Sequence, residues 1–509
     1  MAKQQWNRRS FLASTAGGLG LATLLRGLSP VSGDDLKLDG GVARFAADVE
    51  PLVRFLEDTP REKLIEETAR RVQDGLSYRH LLTALLLAGV RNVQPRPSVG
   101  FKFHAVLVVN SAHLAAISGT EQERWLPIFW AIDNFKESQE RDVREGNWTL
   151  PAVEESKLPS PLDAERELRE ALEQWDEAKA DVAISSLVRH HGANRVFEVL
   201  AEYAARDFRS IGHKVIYLSN ATRTLETIGW EYAEPVMRSL VYAMLNHVGE
   251  PNPAKSDLEP DRAGRENRTR IGELKTKWMG GKPDNQATVD LIQTLHQANS
   301  GECSGKVVEL LNRGVAVQSI WDGLFGGAAE LIMRQQGIVS LHAVTTTNAL
   351  HHAFMTAANL ETRKFLLLQN ASFLSLFRDA AAGRGALQER HIDRLESTVD
   401  SDLQGAGDAM VATIFERMGS DRQAAAQMAM NYLSQGGNPQ AMVDHARRLV
   451  FLKGNDSHDY KFSSAALEDY RSLSPVWQKR FLATATFQLR SSAEQTRPLT
   501  QQIQNALEL

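Results

Sequence analysis

Cysteine is almost absent: Cys303 stands alone among 509 residues. A chain with one cysteine has no internal disulfide and no Cys-rich zinc or iron–sulfur site. Strand-type alternation of β-branched residues is also scarce, while Ala, Leu, Glu, Gln and Arg are abundant. That composition predicts an all-α, multi-helical chain. A basic excess is missing too. The formal net charge is −5, and no stripe of Lys and Arg with interleaved aromatics occurs, which argues against a nucleic-acid partner. Several catalytic signatures are absent. There is no Glu-x-x-His of the ferritin type, no His-Glu-x-x-His zinc motif and no Gly-x-Ser-x-Gly elbow. The run Gly301 to Lys306 is one residue short of a phosphate loop and is followed by Val307 instead of Ser or Thr.

What is present begins with a leader. Asn7-Arg8-Arg9-Ser10-Phe11-Leu12 and the small apolar run Ala13 to Leu25 resemble a twin-arginine export signal. The expected organisation is therefore a signal segment over 1–32 and one all-α region over 33–509. The resemblance implies the twin-arginine export machinery as a partner and a periplasmic or extracytoplasmic location. The apolar run is short for a transmembrane span, and no later stretch suits one, so no membrane span is expected in the mature chain.

The rest of the sequence repeats a pattern four times. An apolar helix is followed by a short break, a histidine near the start of a second apolar helix, and an aromatic-rich third helix. The histidines are His104 in GFKFHAVLVVNSAHLAA, His213 in IGHKVIYLSNATRTLET, His342 in GIVSLHAVTTTNALHHAF and His458 in GNDSHDYKFSSAALEDY. The units are expected at about 76–147, 190–249, 312–382 and 420–493, and the apolar spacing of three and four suits helices packed on one side. The polar segment Glu250–Ala287 reads as a surface excursion, and Gly383–Gln404 reads as charged and helical.

Titratable and amide side chains on otherwise apolar helices need partners when buried. The four histidines are thus candidate metal ligands, with His213 and His342 also candidate catalytic groups. Glu198, Asp322 and Asp444 recur in register on three of the first helices, where the first unit has Leu82. A carboxylate beside imidazoles suits iron, manganese or zinc, or a His–carboxylate acid–base pair, and Asp322 is the candidate taken into the catalytic set. Local caps or salt bridges would explain the same carboxylates equally well. A further recurrence, Asn110 with His113, Asn220 with Arg223 and Asn348 with His351, places an amide beside a titratable donor one helical turn on. Together with His104, these side chains are candidate ligands for a carbonyl or quinone-like oxygen. A ladder of interhelical hydrogen bonds is the alternative.

The segments SIGHKVIYLSNATRTLETIGW and GIVSLHAVTTTNALHHAF resemble the questin oxidase-like family, helical proteins with similar small-residue-rich histidine helices. The resemblance covers the middle two units and the first histidine helix. It implies oxidative chemistry on an aromatic or quinone-like small molecule, NADPH or a metal ion as cofactor, and a pocket at His104, His213 and His342. The chain departs from the family's type member in its export signal and in the Glu250–Ala287 segment. The expected function is an exported all-α oxidoreductase with a histidine-lined pocket. A non-catalytic helical scaffold and a metal- or haem-binding carrier are the competing readings.

Overall fold

The computed structural model describes residues 41–95, 101–121, 123–245, 250–398 and 407–508. The arginine-pair leader lies outside the described residues. Among those described, the chain is helical throughout. Strands are replaced by two isolated bridges, Val42 with Pro151 and Lys282 with Val315. The all-α expectation holds. No helix among the described residues is long and apolar enough to cross a membrane.

Four helix triplets are laid down as the apolar spacing requires. The first helices are Tyr78–Asn92, Ala193–Ala204, Val317–Arg334 and Pro439–Lys453. The histidine helices are His104–Leu107 continuing as Val109–Ala116, then His213–Ile228, Ile338–Thr356 and Ser457–Asp469. The third helices are Trp125–Glu145, Ala233–Leu245, Leu360–Ala382 and Pro475–Ala485. Side-chain caps start several of them. Ser77 accepts from His80 N, Asn438 from Gln440 N, and Asp456 forms a capping box with Asp459.

The histidine helices pack as a ring. The His213 helix touches Val109–Ala116 on one side and the His342 helix on the other, and the His458 helix touches both of those neighbours. Every histidine lies in the first five residues of its helix, so the ring gathers the imidazoles at one level. The first and third helices, their apolar side chains inward, enclose it in one continuous hydrophobic core.

Two segments differ from expectation. Glu250–Ala287 is not a surface excursion. It contains the helix Glu259–Arg270, which packs on Leu360–Ala382 and Ser300–Asn312 and buries Asp261, Asn267 and, after it, Trp278. Its polar residues are consumed internally: Asp261 pairs with Arg209, and Asn267 donates to Gln369 Oε1 at 2.8 Å. The described part of Gly383–Gln404 is a loop with one short turn, Ile392–Arg394. Gly385 has φ +153°, and Gln388 N donates to Arg334 O, so backbone bonds to a neighbouring helix replace an internal helical ladder.

Candidate metal centre

The turn before His213 is the most strained part of the described backbone. Ser210, Ile211 and Gly212 carry φ of 59°, 46° and 78° in succession. For a β-branched residue such as Ile211 this region is costly, by roughly 1–3 kcal/mol, and such strain collects at functional sites. Here it brings Ser210 O to 2.5 Å from His213 Nδ1. Gly212 is required on two counts. Its φ is positive, and a Cβ there would lie 2.1 Å from Thr346 Oγ1 on the His342 helix. A buried ionic network holds the turn from below: Lys214 Nζ lies 2.8 Å from Asp207 Oδ1, and Arg209 pairs with Asp261 and Glu250.

The other three histidines are seated differently. Lys102, buried against Asp142 at 2.8 Å, and Phe103, edge-on to Tyr217 at 5.0 Å, fix the approach to His104. His342 Nδ1 donates to Ile338 O within its own helix at 2.6 Å. Asp456 Oδ1 lies 3.3 Å from His458 Nδ1, and Tyr460 stacks on Trp130 at 4.2 Å to hold that helix in place.

These contacts turn the four rings toward one point. His104 Nε2 is 2.8 Å from His213 Nε2, and His213 Nε2 is 3.2 Å from His342 Nε2. The His458 ring stands edge-on to His104 at 4.6 Å and to His342 at 5.2 Å between centroids. All four are buried. Desolvation drives the His213 pKa down to about 3 and holds His104 and His342 well below their ordinary value, with the charge of Lys461 adding to each.

Neutral imidazole has one N–H and one lone pair. His213 and His342 both spend their Nδ1–H on a backbone carbonyl, so both Nε2 atoms carry lone pairs. Two acceptors therefore face each other at 3.2 Å, an arrangement that calls for a proton or a cation between them. Imidazole nitrogens bound to one ion at about 2.0–2.1 Å are about 2.9 Å apart at a right angle and about 3.4 Å apart at a tetrahedral angle. The separations of 2.8 and 3.2 Å suit that geometry. The Nδ1 bonds to backbone and carboxylate are the outer-shell contacts that orient metal-binding histidines. His104, His213 and His342 are the ligand set whose nitrogens lie closest, and His458 completes the ring. The residues fit a transition metal.

Beside the rings lies a polar throat lined by Asn110, Asn220, Arg223, Asn348, Lys461 and Glu468. Its void is about 10 Å³, room for about one water. Asn110 Nδ2 donates to Asn220 Oδ1 at 3.4 Å, Asn220 Nδ2 to Leu107 O at 2.9 Å, and Arg223 to Asn348 Oδ1 at 3.0 Å. Asn348 donates in turn to Glu468 and, at 2.7 Å, to Asp469. Asn110 Oδ1 and Lys461 Nζ are buried in this throat with no hydrogen-bond partner among the described residues. Burial lowers the Lys461 pKa to about 7 and raises that of Asp469 well above the carboxylate range. A cavity of about 220 Å³ lined by Arg447, Tyr460, Ser464, Glu468 and Arg471 adjoins the throat, sharing Leu114, Ser464 and Glu468 with it.

The other candidates fall elsewhere. Asp322 accepts from Ser474 N at 2.9 Å and from Gln318, tying the start of the last triplet's third helix to the first helix of the triplet before it. Glu198 accepts from Ala358 N at 2.8 Å, ahead of the helix Leu360–Ala382. Asp444 bonds Gln440 within its own helix. The expected pairing of Asp322 or Glu198 with the imidazoles is therefore replaced by backbone capping, which satisfies N–H groups that would otherwise be orphaned at helix starts. His113 bonds Tyr78 OH at 3.0 Å and Thr227, and His351 packs edge-on to Trp321 and Phe325; neither lines the throat. Asp456, Lys461, Glu468 and Asp469 belong to the site and were not singled out for a role by spacing. The run His458-Asp459-Tyr460-Lys461 is dense in titratable groups, and of these four it marks Lys461 alone.

No family model matches the chain, and no curated protein or solved structure matches it.

Proposed function

We propose that the four-histidine ring holds a transition-metal ion and that the chain is an oxidoreductase acting on a small aromatic or quinone-like molecule. The facing lone pairs of His213 and His342 carry this reading. Imidazole-only ligation suits iron, copper, nickel or zinc, and iron or copper would supply one-electron and O₂ chemistry. A haem carrier fits less well. Ring centroids 4.6–6.4 Å apart leave space for an ion and none for a macrocycle.

The chain's own groups have clear tasks in this scheme. Asn110, Asn220, Arg223 and Asn348 would bind and orient a carbonyl oxygen at the throat. Lys461, with a pKa near neutrality, would accept or return a proton at Nζ. Asp469, whose pKa burial raises, would accept from Asn348 and orient its amide. The 220 Å³ cavity would admit the body of the substrate. It lies below the range of roughly 300–1,000 Å³ usual for drug-sized ligands, so the substrate is small or the throat opens to receive it. The questin oxidase-like resemblance supports the substrate class, and the arginine-pair leader supports export of the folded protein.

The test is His213→Gln and His342→Gln, singly. Each variant should keep its helicity by circular dichroism and lose the ring's metal together with turnover of a quinone or phenol. Loss of thermal stability alone, with metal content unchanged, would instead establish a packing role and the scaffold reading.

A further inference from the structure

A second group of imidazoles and carboxylates lies away from the ring, where the loop Gly383–Arg394 crosses the helices Asn285–Gln297 and Val317–Arg334. His296, in the last turn of its helix, stacks on His391 of the loop with centroids 4.6 Å apart and planes 16° from parallel. His296 Nδ1 donates to Glu330 Oε1 at 2.6 Å. In the neutral tautomer so fixed, Nε2 carries the lone pair, and it faces Glu389 Oε1 at 3.7 Å. His391 Nε2 lies 2.8 Å from the same oxygen. Asp393, Glu330 and His391 each place a potential ligand atom within 4.8 Å of the others, and Asp393 Oδ1 is buried with no hydrogen-bond partner among the described residues.

We infer that His296, Glu389 and His391 form a second site for a divalent cation of the zinc class. Two imidazoles and one carboxylate are a donor set for zinc, nickel, cobalt or copper. Glu330 is the outer carboxylate that sets the His296 tautomer, and its other oxygen accepts from Ile392 N at 2.9 Å, holding the loop against the helix. Asp393 supplies further negative charge. Glu330 and Glu389 also act on the nearby Arg334 guanidinium, whose pKa burial lowers while their charges partly oppose the shift. The site joins a loop to two helices, so the ion would act as a clamp on a segment that has little regular structure of its own. Nothing in this assignment depends on the four-histidine ring.

The test uses the full chain carrying His213→Gln, stripped with chelator and titrated with Zn²⁺ alone by calorimetry against a competing chelator. One zinc should bind. Glu389 is 77% exposed, so Glu389→Gln leaves the core packing intact while it removes a carboxylate ligand and its charge beside His391. It should weaken binding by more than the roughly 10–100-fold that loss of an outer-shell partner costs, and His391→Gln should do the same. Zinc should slow amide exchange over Gln388–Arg394 in the parent and leave it unchanged in Glu389→Gln. In the otherwise wild-type chain, either substitution should lower the zinc count by one whatever the ring binds. Unaltered zinc affinity in both variants, or no zinc bound by the parent, would overturn the assignment.

Discussion

The two imidazole clusters solve opposite problems. In the ring, four buried histidines face one another, and burial together with the charge of Lys461 depresses the pKa values of His104, His213 and His342. Around the Gly383–Arg394 loop, two half-buried histidines sit among carboxylates that bring negative charge. A neutral donor set leaves a bound ion its full charge, which favours redox and Lewis-acid chemistry. A charged donor set neutralises it, which suits a structural clamp. The histidine is the same; the surroundings decide the role.

The largest break in this contrast is expected at Gly212. Gly212→Ala combines a positive φ, costing roughly 1–2 kcal/mol, with overpacking against Thr346, costing roughly 1–3 kcal/mol. Chemical denaturation should show a loss of about 2–5 kcal/mol, and the ring's metal should be lost, while zinc binding at the loop cluster persists.

Acid should separate the clusters next. The folded pKa of His213 is depressed to about 3 from an unfolded value near 6.5. The unfolded chain therefore binds more protons between those values. His213's contribution is present in full above pH 6.5 and declines as pH falls toward 3, by up to roughly 5 kcal/mol. The thermal midpoint of the metal-free protein should drop across that window, and less steeply in His213→Gln. Lys461 gives a second window. Its folded pKa, about 7 against 10.5, makes stability rise with pH between 7 and 10.5. Lys461→Met should raise the thermal midpoint at pH 7 and flatten the rise above it.

The smallest effect is expected at Asp322. Asp322→Asn keeps an acceptor for Ser474 N, so it should cost about 1 kcal/mol or less and leave metal content and turnover at the ring unchanged. A loss of turnover without unfolding would restore Asp322 to the catalytic set.

The helices of the four triplets, their order and the four histidines were legible because apolar spacing and local breaks are local signals. The capping roles of Glu198 and Asp322 were not. Their partners, Ala358 N and Ser474 N, lie 160 and 152 residues away, and register within a repeated helix says nothing about which distant N–H arrives there. Gly383–Gln404 shows the same limit. Its charge pattern suits a helix, but Glu330 and Arg334 of another helix bind the backbone of its described part at Ile392 N and Gln388 N. Lys461 was visible as part of a dense titratable run. Its burial, which gives it chemistry near pH 7, comes only from the closing of the ring.

The most direct measurement is metal-edge X-ray absorption on the purified full chain carrying Glu389→Gln, so that the ring is the site observed. The expected spectrum has a shell of imidazole nitrogens at roughly 2.0–2.2 Å, with the multiple scattering of histidine rings, that disappears in the additional variant His342→Gln. Absence of bound metal, an oxygen-only shell, or a spectrum indifferent to His342 would contradict it.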